Sequence, residues 1–343
     1  MDYEKTKEQL LLNIRKFKDE AIALSNDLAD HPELSGQEYE SSRKAAALLQ
    51  KHGYDVAQPF AGMPTAFKAV YGDNSHKHKV AIIAEYDALP EIGHACGHCL
   101  SCAISLLAGL ATRGIQEELD TDIHIIGTPD EESGGMKCIM VSDGIFDEYD
   151  MAIMLHLYNY NLLAPKMQAC AGHVYEFKGH ALDAVRFMYH AIDMMRQHNK
   201  PDVQIHGVVY DGGISSERAP ERATTELYIR AENRKNLTEA AKKVAACAQG
   251  AAIATQSTWT KEPDPDPCLC DSFNVNVPGT EILREIYEEM GLPLNGDPDR
   301  IFGTSDIGNV SNVCPAFHPC LQVVDEEISI HTREFAAAMK SER

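Results

Sequence analysis

Cysteine, histidine and glutamate recur at three turns of this chain, each directly after an apolar run, and together they offer the donors that a catalytic metal centre needs. The first turn is Gly93-His94-Ala95-Cys96-Gly97-His98-Cys99, set between an apolar strand and an apolar helix. The second is Thr128-Pro129-Asp130-Glu131-Glu132. Its adjacent carboxylates point in different directions, so one can bind a cation while its neighbour handles a proton. The third is His156, which ends the apolar run 151–155. A carboxylate also arrives with Glu85-Tyr86-Asp87, at the end of another strand. In open α/β sheets, ligands gather beyond the carboxyl ends of the strands.

Each turn taken singly has a plain reading. Cys96 and His98 could be satisfied helix-start residues, the Asp-Glu-Glu run a solvated loop, and His156 a core histidine. Three such turns at successive strand ends make coincidence the poorer account. Cys96, Cys99 and Cys102 also match the start of an iron–sulfur run, but the fourth Cys and the Pro that this run requires are replaced by Leu106 and Leu107. His331, in Ile330-His331-Thr332-Arg333, is uninformative alone. The polar, Gly-punctuated loop 303–309, with Ser305 and Asp306, suits the wall of a substrate pocket or an ordinary surface turn.

These turns must be positioned by regular elements. An apolar rhythm through Leu10, Leu11, Ile14, Phe17, Ala21, Leu24 and Leu28 predicts a helix over 5–30, and a second is expected over 37–52. Strand-like runs at 65–71, 80–84, 122–127 and 151–155 alternate with helical patterns, the mark of a doubly wound α/β sheet with helices on both faces. From about Cys170 the order becomes βαββαβ, the ferredoxin-like arrangement of a self-contained small domain. Its pieces are a strand at 172–178, a helix at 181–198, strands at 204–210 and 223–231, a helix at 237–255 and a last strand. The Pro/Asp-rich stretch Glu262-Pro263-Asp264-Pro265-Asp266-Pro267 reads as its exit linker. A helix at 280–290 and a loop at 302–311 then return to the first domain. The expected division is therefore 1–169 and 263–343 for the catalytic domain and 170–262 for the insertion.

A length of 343 residues suits two domains, and 44% hydrophobic with 24% charged residues is enough to build full cores. The formal net charge of -21 argues against nucleic-acid and anionic-membrane partners, which call for basic patches. The start Met1-Asp2-Tyr3-Glu4-Lys5-Thr6 lacks the apolar core of a signal peptide, and the most apolar stretch, 99–111, is too short for a membrane span. A cytoplasmic protein is expected. Ten cysteines are too few for a disulfide scaffold at this length.

Taken together, the residues resemble the di-metal aminoacylase/carboxypeptidase amidohydrolases, which include carboxypeptidase G, the plant auxin-conjugate hydrolases and the p-aminobenzoyl-glutamate hydrolases. The likeness rests on His31-Pro32-Glu33-Leu34, 85–90, 94–98, 128–132, His156, Gly212-Gly213, 306–311 and His331. It is nearest the branch with Cys in place of an acidic ligand. The resemblance implies Cys96, His98, Glu132, His156 and His331 as ligands of two divalent ions, Zn or Mn with Co as a further choice, and Glu131 as general base. Asp87 would orient a ligand, and Arg230 would grip a substrate carboxylate in a bidentate fork. The insertion would act as lid and homodimer interface, and the substrate would be a dipeptide or N-acyl amino acid. Two departures stand out. Lys178-Gly179-His180 runs straight into 181–184, without the usual longer lid segment. Glu217 stands where Asn is usual, which shifts the expected substrate from acidic toward cationic. Two other readings remain: a non-catalytic metal- or ligand-binding relative with an incomplete lid site, and a redox protein using Cys96, Cys99 and Cys102.

Overall fold

A computed structural model describes residues 3–262 and 269–340, so most of the Pro/Asp-rich stretch read as a linker lies outside the described residues. The chain divides into two compact units. The larger comprises Met1–Lys166, Asn274–Ile301 and Asn309–Arg343, and the smaller Met167–Phe273 and Phe302–Gly308. Among the described residues no helix is long and apolar enough to cross a membrane.

The larger unit is built on a six-stranded sheet in the order Asp55–Ala57, Phe67–Val70, Thr121–Gly127, His78–Ala84, Met151–Ile153, Ala316–Phe317. The last four strands run parallel, while the first two add antiparallel. Thr121–Gly127 is buried along nearly its whole length, Asp122 and His124 included. Asp122 accepts the His76 N–H, and the His124 ring nitrogens lie 2.9 Å from the Tyr149 hydroxyl and from Asn74 Oδ1. Helix Tyr3–Asp30 buries Phe17, Ala21, Leu24 and Leu28 at three- and four-residue spacing. Each such large side chain contributes about 1.5–3 kcal/mol on burial. Helix His98–Thr112 turns Cys99, Cys102, Leu106 and Leu110 into the same core, beside Leu49, Phe67, Ile125 and Phe335.

Two elements differ from the sequence reading. The apolar run at 151–155 is not one strand: Met151–Ile153 pairs with Ala316–Phe317, and His156–Tyr158 forms a separate pair with Cys320–Gln322. The change of partner breaks the run just before His156. The supposed loop 302–311 also contains regular structure, a short strand Ile301–Gly303 and a helix Ile307–Ser311.

In the smaller unit a four-stranded antiparallel sheet has the order Thr258–Lys261, Ala169–Lys178, Arg222–Ala231, Gln204–Asp211. With helices Ala181–Arg196 and Arg234–Thr255 the chain order is βαββαβ. Tyr175, Phe177, Val185, Met188, Ile192, Leu227 and Val244 form its core. The Asn233 side chain accepts the Asn236 N–H and caps the second helix. Gln204–Asp211 is an edge strand that leaves Val208, Val209 and Tyr210 exposed.

Candidate metal centre

All the sequence-assigned ligands fall in the larger unit, and local backbone geometry explains how they converge. Gly97 precedes helix His98–Thr112 at φ +82°, and a Cβ there would lie 3.1 Å from Leu157 and 3.2 Å from the Met339 sulfur. Only glycine lets the chain turn so tightly between Cys96 and His98. Asp130 and His331 take left-handed φ values of +57° and +62° without being glycine. Such strain costs about 1–3 kcal/mol and must be held by its surroundings. His331 N donates to Ala95 O at 2.9 Å, tying it to the first turn. The Asp130 carboxylate accepts from Ser133 Oγ and Gly134 N, and the Asp130 carbonyl from Gly135 N, which closes the acidic turn on itself.

Two buried acids hold this turn from outside. Glu38 accepts the Gly36 and Asp130 N–H groups at 2.6 and 2.9 Å and the Thr65 hydroxyl at 3.2 Å. Burial pushes its carboxyl up to about 7, against the pull of those N–H groups. Asp87 has two tasks. One oxygen takes the His98 Nδ1–H at 2.9 Å, and the other accepts Ser35 Oγ at 2.6 Å and Glu132 N at 2.9 Å. The sequence expectation that Asp87 orients a ligand concerns this contact, which leaves His98 Nε2 to face the centre. The His31-Pro32-Glu33-Leu34 segment caps helix Tyr39–Lys51, because Glu33 accepts the N–H groups of Glu40 and Ser41.

The donor atoms form overlapping triads. Single ligand atoms of Cys96, His98 and His156 lie within 4.8 Å of one another, as do those of Cys96, Glu132 and His331, and those of His98, Glu131 and Glu132. Cys96, His98 and Glu132 each belong to two of these triads. Cys96 Sγ and His156 Nε2 are 3.3 Å apart, close to the ~3.3–3.6 Å edge of a tetrahedron with zinc-like bond lengths. His156 Nδ1 lies 2.7 Å from the Leu157 carbonyl, a bond that makes Nε2 the lone-pair nitrogen. His331 Nε2 stands 3.8 Å from Glu132 Oε2, with the His331 side chain 51% exposed, so this imidazole approaches from the solvent side.

The electrostatics suit a divalent cation. Burial opposes charge on His98, but Asp87, Glu85 and Cys96 outweigh it and push its pKa well above the usual range, a pull toward positive charge that a bound cation would answer in place of the Nε2 proton. Burial and Glu132 push the Cys96 thiol up. Burial and His98 lower His156 to about 4, leaving it neutral. His98 Nε2 and Glu132 Oε1 are buried and make no hydrogen bond of proper geometry, and a cation would supply the partner each lacks. Thiolate, imidazole and carboxylate together select a borderline first-row ion over a hard one.

Three neighbouring side chains had no role of their own in the sequence reading. Glu85 is fully buried, with Oε2 3.3 Å from His98 Nε2. Lys137 is fully buried too, with Nζ 2.5 Å from Glu85 Oε1. His318 is buried with its ring 5.3 Å from that of His156. Glu85 was legible as a second acid two residues before Asp87, whereas Lys137 and His318 carried no local signal. The remaining assigned residues lie in the smaller unit. Arg230, on strand Arg222–Ala231, holds its guanidinium 5.2 Å from the Tyr228 ring centroid. Glu217 lies in an exposed turn, Ser305 is half-buried and Asp306 is buried.

Comparison with known proteins places the chain in a family. The model of the peptidase family M20/M25/M40 matches residues 81–337. The chain is 30% identical over 353 residues to a mouse (Mus musculus) Xaa-Arg dipeptidase, covering 93% of this chain and 80% of that one. It is 28% identical over 327 residues to one of the chains of the Escherichia coli p-aminobenzoyl-glutamate hydrolase, covering 82% of this chain and 66% of that one. A Bacillus subtilis structure described as a dinuclear metal-binding peptidase superposes with a TM-score of 0.71 at 18% identity, over 95% of this chain and 98% of that one. The chain belongs to the M20/M25/M40 peptidase family and is a hydrolase of the amidohydrolase/peptidase type.

Proposed function

We propose that the protein hydrolyses the amide bond of a dipeptide or N-acyl amino acid, with Glu131 as general base and Cys96, His98, Glu132, His156 and His331 as ligands of two divalent ions, Zn, Mn or Co. The observation that carries this reading is the pair of triads sharing Cys96, with a Glu131 oxygen within 4.8 Å of the His98 and Glu132 donors. Ions held there would supply Lewis acidity to the scissile carbonyl and ease proton loss from water. Glu131 takes the proton of the attacking water and returns it to the leaving amine. Asp87 keeps His98 in the tautomer that presents Nε2. Arg230 is assigned the substrate carboxylate, and Ser305 and Asp306 the pocket wall.

The name of the mouse relative puts Xaa-Arg dipeptides first among substrates, and acidic Glu217 suits a cationic side chain. We assign residues 170–262 as a lid and homodimer interface, supported by the exposed apolar edge of Gln204–Asp211. A hydrolysis panel of dipeptides and acyl amino acids with added Zn or Mn tests the activity. Glu131→Gln is expected to lower kcat by about 10²–10⁴-fold while retaining both ions by elemental analysis. Full turnover in that variant would refute the base assignment.

A further inference from the structure

A buried lysine is rare unless it is paired, and Lys137 is paired inside the catalytic centre. Its side chain has 0% exposure and its Nζ lies 2.5 Å from Glu85 Oε1. The other Glu85 oxygen stands 3.3 Å from His98 Nε2. A Glu85 oxygen also lies within 4.8 Å of one on Glu131. The carboxylate that Lys137 holds is therefore neighbour to both a ligand and the base.

Chain connectivity strengthens the link. Lys137 is the second residue of helix Met136–Ser142, whose preceding residue Gly135 takes φ +63°. Gly134 has room for no side chain, since a Cβ there would fall 2.0 Å from Asp130 Oδ2. The turn that presents Glu131 and Glu132 thus also delivers the ammonium. Charge gives the reason. Cys96, Glu85, Asp87, Glu131 and Glu132 can carry five negative charges, against four positive charges on two divalent ions. One cation is lacking, and uncompensated buried charge is costly.

Resting on the function proposed above, we propose that Lys137 is a positioning residue for the reaction. Its ammonium fixes the Glu85 carboxylate against His98 and Glu131 and supplies the cation by which the acidic cluster exceeds two divalent ions. The test is Lys137→Ala, read by kcat, KM and metal content, with and without methylammonium or ethylammonium. The expected result is kcat down about 10–100-fold, as for other residues that support a metal ligand. KM should move less than about threefold, both ions should be retained, and the alkylammonium should restore kcat saturably where 1-propanol does not. Wild-type kcat in Lys137→Ala, or equal recovery with propanol, would overturn the proposal.

Should that variant fail to fold, the charge-free pair Glu85→Gln/Lys137→Met keeps the volume filled. It is expected to bind both ions with the same kcat deficit, and wild-type kcat there would overturn the proposal equally. The two readings can be separated. A wild-type protein that hydrolyses nothing in the panel defeats the proposed function and this role with it, whereas an active wild type beside a fully active Lys137→Ala defeats this role alone.

Discussion

The two units bury opposite kinds of residue. Between the strand ends of the larger unit lie Glu85, Asp87, His94, His98, Lys137, His156 and His318, all below a tenth exposed. The smaller unit fills its sheet–helix interface with Ala, Val, Leu, Ile, Met and aromatic side chains. Among the described residues the polar ones it buries, Gln168, His173, Thr224, Thr225, Asn236 and Asp306, include one carboxylate and no Lys or Glu. Burying polar and charged groups opposes folding unless each finds a partner. The larger unit thus concentrates buried groups of the kind that cations would complete, whereas the core of the smaller is mainly apolar packing.

The contrast can be broken most sharply at the sulfur shared by two triads. Cys96→Ser is expected to weaken the binding of both ions by more than about 100-fold, beyond the loss typical of residues that merely support a ligand. Titration with Zn followed by elemental analysis checks this, and two tightly bound ions in the variant would sink the shared-ligand reading. Next in size is a change in the smaller unit. Met188→Ala removes a fully buried side chain and should cost about 2–5 kcal/mol while leaving metal stoichiometry intact. Denaturant melts paired with metal analysis would show whether the two properties separate.

A smaller effect concerns pH. Burial raises the Glu38 carboxyl from 4.5 to about 7, so the folded chain holds this proton more tightly than the unfolded chain. The contribution of Glu38 to stability therefore falls as pH rises from 4.5 toward 7 and stays low above it. Glu38→Gln keeps an acceptor for the Gly36 and Asp130 N–H groups. It should flatten that slope, by at most about 3 kcal/mol. Unchanged pH dependence in chelator-treated protein would remove Glu38 as the cause. The smallest effect on stability is expected at the edge of the smaller unit. Val208→Lys should shift folding by less than about 0.5 kcal/mol yet convert the proposed dimer to a monomer by light scattering; a wild type that is monomeric would remove the dimer, and a variant that stays dimeric would move the interface elsewhere.

Much of the larger unit was legible because its signals are local. Phe17, Ala21, Leu24 and Leu28 repeat at helical spacing and are buried. Cys96, His98 and the Glu131-Glu132 pair announce themselves by type and by position after strands. What stayed hidden depends on partners distant in sequence. The break before His156 follows from a switch between two strands more than 150 residues away. Lys137 reads as an ordinary loop cation until Glu85, 52 residues earlier, is seen against it. The left-handed backbone of Asp130 and His331 was equally invisible, because neither residue type demands it.

The absent side chain of Gly97 carries a consequence for inheritance. A single added methyl would press on Leu157, next door to the imidazole of His156, and on Met339 in the core. A mutation with no functional group of its own could thereby spread the cluster and silence the centre without touching one donor atom. Variation at this silent position should thus be as rare as variation at the sulfur beside it.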